Sequence, residues 1–274
     1  MTEEFTQGTI ISDIRSNKYC NIRCKGVVIS ARCDLAQNKI NTFHYLSALS
    51  LEDWIYEELY FKIIDEKKRS VEGEIKRVAK DNELDYTVLC EGGYDRMERV
   101  FRKCLSAKRW DEILNKIQEM KKLDQYFLYD ERKYKKEFLK QSNNYKLFKS
   151  KIRDVMLGNY PKFVFIPQSC YSTNQILNNG LVIDLQDIYQ LNTEIAKRIA
   201  QNEIDGAKIK SEEKRKEYNN YFFLNSDMDF VIIEGQIKSP WVEYVLQHFA
   251  HEFIRIGVEN ATQNEIEKIC DDLL

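Results

Sequence analysis

The hydrophobic and polar positions of this chain change period twice. Residues 8–12 (GTIIS), 25–31 (KGVVISA) and 41–49 (NTFHYLSAL) are short runs rich in β-branched and aromatic residues, separated by polar stretches. Such runs suit a pleated, half-buried surface. The gaps leave no room for a crossover helix, so the spacing predicts antiparallel neighbours.

At Ser50 the period lengthens. Ser50-Leu51-Glu52-Asp53 is an N-cap signature close to a capping box, and Trp54, Ile55, Leu59, Phe61 and Ile63 follow at roughly helical spacing. Helical texture runs to about residue 155, with breaks near 91–93 (EGG) and 142–144 (SNN). Residues 94–122 carry Met97, Val100, Phe101, Leu105, Trp110, Ile113, Leu114 and Ile117 in an amphipathic pattern.

After 158–161 (GNYP) the short period returns. Residues 162–167 (KFVFIP), 180–185 (GLVIDL), 221–225 (YFFLN) and 229–237 (DFVIIEGQI) read as strands, with one charge-rich helix over 192–219. Helices over 239–256 and 262–273 close the chain. Ser239 is placed to cap the first of these, Pro240 to start it and Gly257 to stop it.

These elements predict an α+β fold. A β-rich, barrel-like domain is expected from residues 1–49 and 158–274, built from both chain ends, with a helical insertion over 50–157 and C-terminal helices. Three short strands alone make a marginal module, so this split domain is preferred to a separate N-terminal β domain.

Composition narrows the setting. No apolar run approaches the length of a membrane span, and the opening MTEEFTQGTI has neither the basic nor the apolar region of a signal peptide. The expectation is a cytoplasmic protein, away from membranes, whose seven cysteines are reduced thiols. A net charge of −2 conceals an asymmetry: residues 62–154 carry about +7 and the remainder about −9.

That asymmetry directs attention to residues 132–153, RKYKKEFLKQSNNYKLFKSKIR. The segment has nine cations, Arg132, Lys133, Lys135, Lys136, Lys140, Lys146, Lys149, Lys151 and Arg153, against a single acid, Glu137. Tyr134, Phe138, Tyr145 and Phe148 are interleaved with them, and Tyr129 lies just upstream. Cations meet phosphates through counterion release, and aromatics stack on unpaired bases, so the candidate partner is nucleic acid or an acidic protein. The plainer reading is that the aromatics face the core and the lysines are a solvated face.

Three further constellations could carry chemistry. Arg32, Cys33 and Asp34 end an apolar run, and His44 follows on the next, which is the raw material of a thiol nucleophile with a base. Cys20, Cys24, Cys33 and His44 are a ligand set that zinc accepts, at poor spacing. Asp229, Glu234 and Lys238 evoke the strand-borne acids and lysine of Mg²⁺-dependent nucleases, with the lysine displaced by two positions. His248, His251 and Glu252 share a helical stretch, without the spacing of a zinc protease. Each has a bland counterpart, as core thiols, turn-forming aspartates or boundary histidines. With no phosphate loop, no nucleophile elbow and only three histidines, the chain reads as a binding protein before an enzyme, with no resident cofactor or metal expected.

The run Gly26-Val27-Val28-Ile29-Ser30 with Cys33-Asp34-Leu35-Ala36, followed by residues 239–257 (SPWVEYVLQHFAHEFIRIG), resembles a group of uncharacterised bacterial proteins encoded among mobile and anti-phage defence islands. The resemblance implies an accessory component that works with other proteins of its operon. It carries over no catalytic residues. The first strands are also similar in texture to the SH3-like barrels of ribonuclease toxins, which would make Arg32 or Asp34 of interest. The alternative function is thus a metal-dependent nuclease or ribonuclease-type toxin using Asp34, Asp229 and Glu234.

Overall fold

A computed structural model describes residues 5–31, 41–173, 179–209 and 211–254. In chain order, β1 (Thr9–Ile14), β2 (Cys24–Val28) and β3 (Thr42–Ser50) come first. Helix α1 (Leu51–Trp54) continues through a π-helical turn (Ile55–Leu59) into α2 (Tyr60–Asp81), then α3 (Tyr86–Glu91), α4 (Gly93–Cys104), α5 (Ala107–Phe127), α6 (Arg132–Lys140) and α7 (Ser142–Met156). The chain then forms β4 (Phe163–Ile166), β5 (Tyr171–Thr173), β6 (Leu181–Asn192), α8 (Thr193–Ala200), α9 (Glu212–Asn219), β7 (Ile233–Ile237) and α10 (Trp241–Ile254). The fold is α+β, in two compact units: Met1–Ala48 with Pro161–Leu274, and Leu49–Tyr160.

The first unit is a curled, seven-stranded antiparallel sheet in the order β4-β6-β3-β2-β1-β7-β5. Register is set by alternation: Ile10 faces Val27 across β1–β2, and Val27 faces Leu46 across β2–β3. Those residues, with Ile183, Leu185, Val164 and Ile237, form one core face, against which Val242 and Val245 of α10 are buried. Opposite it, Gly26 lies under Ile14 and Tyr45, where an added Cβ would come within 3.1 Å of each. A side chain there would force this packing apart.

Several stretches depart from the expected pattern: β7 begins only at Ile233, β6 runs on to Asn192, and β5 has no counterpart in it. Residues 221–225 form no strand of their own. Phe222 makes one isolated bridge to Ile14, while Phe222 and Leu224 are buried as loop residues. The charge-rich segment 192–219 is two short helices, not one. Asn202 adopts a positive φ, and Gly206 takes a turn where a Cβ would meet the Ser226 carbonyl at 2.2 Å, so no continuous helix passes.

In the helical unit the Ser50 hydroxyl caps α1, accepting from the Asp53 N–H at 3.0 Å and donating to its carboxylate at 2.6 Å. Helix α2 buries Ile64, Val71, Ile75 and Ala79, and α5, which packs along it, buries Ile113, Ile117, Met120 and Leu123. A groove of about 600 Å³ lies between the two, floored by Val78 and Ile113 and rimmed by charged residues. Among the described residues no helix is long and apolar enough to cross a membrane.

Candidate nucleic-acid interface

Helices α6 and α7 meet at a tight corner built by polar residues. The buried Asn144 amide donates to the Phe138 carbonyl at 2.8 Å, which also accepts from the Gln141 N–H at 3.2 Å, and to the Gln141 side chain at 3.2 Å. Phe138 and Leu139 are buried and seat α6 on the unit, and Val155 does the same for α7. Their outward faces then follow from the helical period.

The nine expected contact residues divide into two groups. Three are committed within the protein. Lys135 is only 1% exposed, its Nζ 3.2 Å from the Tyr56 carbonyl, 3.5 Å from the Glu57 carboxylate and 4.8 Å from the centre of the Phe61 ring. A group in that position touches no partner, so Lys135 leaves the interface. Arg132 pairs with Asp53 and approaches Glu52 at 3.9 Å, and Lys151 pairs with Glu66 at 3.0 Å.

The other six, Lys133, Lys136, Lys140, Lys146, Lys149 and Arg153, are exposed and form no ion pair among the described residues. They recur at i, i+3 and i+7 on each helix, which puts three cations in one narrow stripe on α6 and three on α7. Glu137 lies in the α6 stripe and reduces its charge; the α7 stripe has no acid within it. Alongside are rings that the fold leaves uncovered. Tyr129 and Tyr134 meet at 5.1 Å between centroids, and Tyr145 stacks with Phe148 at 6.2 Å. Lys149 Nζ lies 4.8 Å from the Tyr145 ring.

The remaining candidates are placed differently. Arg32, Cys33 and Asp34 lie outside the described residues. Cys20 is exposed and Cys24 buried, while the His44 ring lies 3.2 Å from the Gln190 amide. Glu234 is buried and ion-paired with Lys25 of β2. A register shift in β1–β7 pairing, with Ile10 opposite Gly235 but Ile11 opposite Ile233, interrupts the alternation at Glu234. A regular period of two would put Glu234, Gln236 and Lys238 on one face, and the shift breaks it: Glu234 meets Lys25, Gln236 accepts from Thr9 at 3.0 Å, and Lys238 is exposed.

Asp229 is held elsewhere, accepting from Arg23 at 2.7 Å and from the Ser226 N–H at 2.7 Å. Burial pushes its carboxyl up, but the hydrogen bonds from Arg23 and Ser226 and the guanidinium charge outweigh this and hold it below the usual carboxylate range. Burial, followed by the neighbouring His251, lowers the His248 pKa, and its ring packs on Tyr244 at 4.4 Å. Among the described residues no group of three or more His, Cys, Asp or Glu is arranged to hold a metal ion.

One buried polar network had no prediction from sequence. Asp184 on β6 accepts from the Tyr19 hydroxyl at 2.8 Å, from Lys18 at 2.7 Å and from the Gln186 N–H at 3.0 Å. Nearby, Ser16 donates to Asp187 at 2.7 Å. These contacts anchor the β1–β2 loop on β6. The only sequence signal was an aspartate inside the apolar run GLVIDL. Compared with known proteins, the chain matches no family model, no curated protein and no solved structure.

Proposed function

We propose that this protein is a nucleic-acid-binding adaptor, a cytoplasmic and non-catalytic component of a bacterial multi-protein system of the anti-phage defence kind. The observation that carries the reading is the pair of cation stripes, Lys133-Lys136-Lys140 and Lys146-Lys149-Arg153, exposed and without carboxylate partners among the described residues, whereas Arg132, Lys135 and Lys151 of the same segment are paired. Unpaired cations repel one another, and a polyanion relieves that repulsion while releasing its own counterions. The resemblance of residues 26–36 and 239–257 to defence-island proteins supports the setting.

The rival reading, a nuclease using Asp34, Asp229 and Glu234, draws less support. Asp229 and Glu234 are each engaged by a different cation, Arg23 and Lys25.

Salt dependence tests the proposal. Six phosphate contacts give a slope of log affinity against log salt of about −4 on a single strand, or roughly two and a half orders of magnitude between 50 and 200 mM salt. Replacing the six cations by glutamine abolishes most of that slope. Affinity that stays flat across this range refutes the reading.

A further inference from the structure

The helical unit hides its large rings where it can: Trp54, Tyr60, Phe101 and Phe138 are all at most 1% exposed. Phe127 breaks that pattern at 44% exposed, and so do three tyrosines, Tyr129, Tyr134 and Tyr145, at 37%, 39% and 44%. All three lie beside the cation stripes, Tyr129 just before α6, Tyr134 in its first turn and Tyr145 in the first turn of α7. Their hydroxyls form no hydrogen bond among the described residues, so polar anchoring does not explain their position.

The rings are also held in place. Tyr126 meets Tyr129 edge-on at 5.5 Å, Tyr129 meets Tyr134 at 5.1 Å with planes 36° apart, and Tyr145 lies at 20° to Phe148. A ring already fixed by its neighbours loses little freedom when a flat ligand settles on it. On α7 the arrangement is tighter still, because Lys149 lies over Tyr145 and shares its stripe with Lys146 and Arg153. That lysine can trade the ring for a phosphate when a base takes its place.

Cations alone favour the duplex, which has the higher charge density. Exposed rings favour the opposite, because bases inside a duplex are stacked on each other and offer no face. Building on the nucleic-acid reading above, we infer that the ligand is a single strand, with unpaired bases stacked on Tyr134 and Tyr145 and the intervening phosphates held by the two cation stripes. Stacking of this kind tolerates any base, so the protein follows strandedness and not sequence.

The test uses the full chain and three labelled probes, each about 20 nucleotides long: an oligothymidine strand, a duplex, and a strand of abasic sugar-phosphates. Fluorescence anisotropy at low salt should rank the oligothymidine about tenfold or more tighter than the abasic strand, and tighter than the duplex. The double variant Tyr134→Leu with Tyr145→Leu retains apolar bulk and removes the aromatic faces. It should lose at least about tenfold for oligothymidine while its abasic affinity and salt slope stay unchanged, with far-ultraviolet circular dichroism establishing that its helices persist.

Equal affinity for oligothymidine and the abasic strand overturns the single-strand inference and leaves the nucleic-acid reading standing. A duplex preference does the same. Failure to bind any of the three probes, or capture of polyglutamate in their place, overturns both.

Discussion

Lys135 separates packing from partner contact within one basic segment. Lys135→Met keeps the unbranched stem and removes the ammonium. The bond to the Tyr56 carbonyl, at 3.2 Å and with a charged donor, contributes about 1.5–3 kcal/mol. The approach to the Phe61 ring at 4.8 Å adds about 1 kcal/mol. Glu57 is 29% exposed and solvent screens its pairing, so that contact contributes below about 1 kcal/mol. Relief from burying an ammonium, together with a thioether packed on rings, offsets part of the loss. The net expectation is a destabilisation of about 2 kcal/mol. In urea unfolding of the full chain this moves the midpoint down by about 1 M at a typical slope. Nucleic-acid affinity at low temperature, and its salt slope, stay unchanged. An unchanged midpoint with a salt slope reduced by about one would refute the reasoning and return Lys135 to the surface.

Glu234→Gln leaves the Lys25 ammonium, 14% exposed, without its counter-charge, and should cost about 3 kcal/mol in the same urea experiment. Replacing Lys25 and Glu234 together by methionine and glutamine should cost less than the single change, because no charge is then left unpaired. A single-variant loss below about 1 kcal/mol argues that the pair is open to water. Asp229, whose pKa is depressed in the folded state, contributes stability that is fully present above its unfolded value of about 3.9. That contribution is lost as pH falls through the folded value. Asp229→Asn should therefore flatten the fall in stability below about pH 4, read from urea midpoints across that range. A variant as acid-sensitive as the parent would argue against the Arg23 and Ser226 contacts.

What could be read locally was legible. Ser50 caps α1 because its hydroxyl needs only the Asp53 N–H three residues on, and that geometry travels with the sequence. The break expected near 91–93 falls at Gly92, but the one expected over 142–144 falls at Gln141, and those at 82–85, 105–106 and 128–131 carried no such signal. Even the burial of Lys135 had a signal, three residues before Phe138 and four before Leu139, on the face those two define.

What needed the folded chain was every pairing across a long stretch of sequence. Lys25 and Glu234 are 209 positions apart, and Asp184 receives Lys18 and Tyr19 from across the sheet. The register shift beside Glu234 is a property of two strands, so period-two reasoning along β7 alone placed three side chains on one face that they do not share. Residues 221–225 have a strand's composition, yet burial of Phe222 and Leu224 is met by loop packing with a single bridge. The sequence by itself determined the cation and aromatic content of residues 129–153 and the helical spacing that draws Lys133-Lys136-Lys140 and Lys146-Lys149-Arg153 into stripes. Only the tertiary structure decided which of nine cations are neutralised inside the protein and which stay available, because a salt bridge depends on where the opposite charge arrives in space.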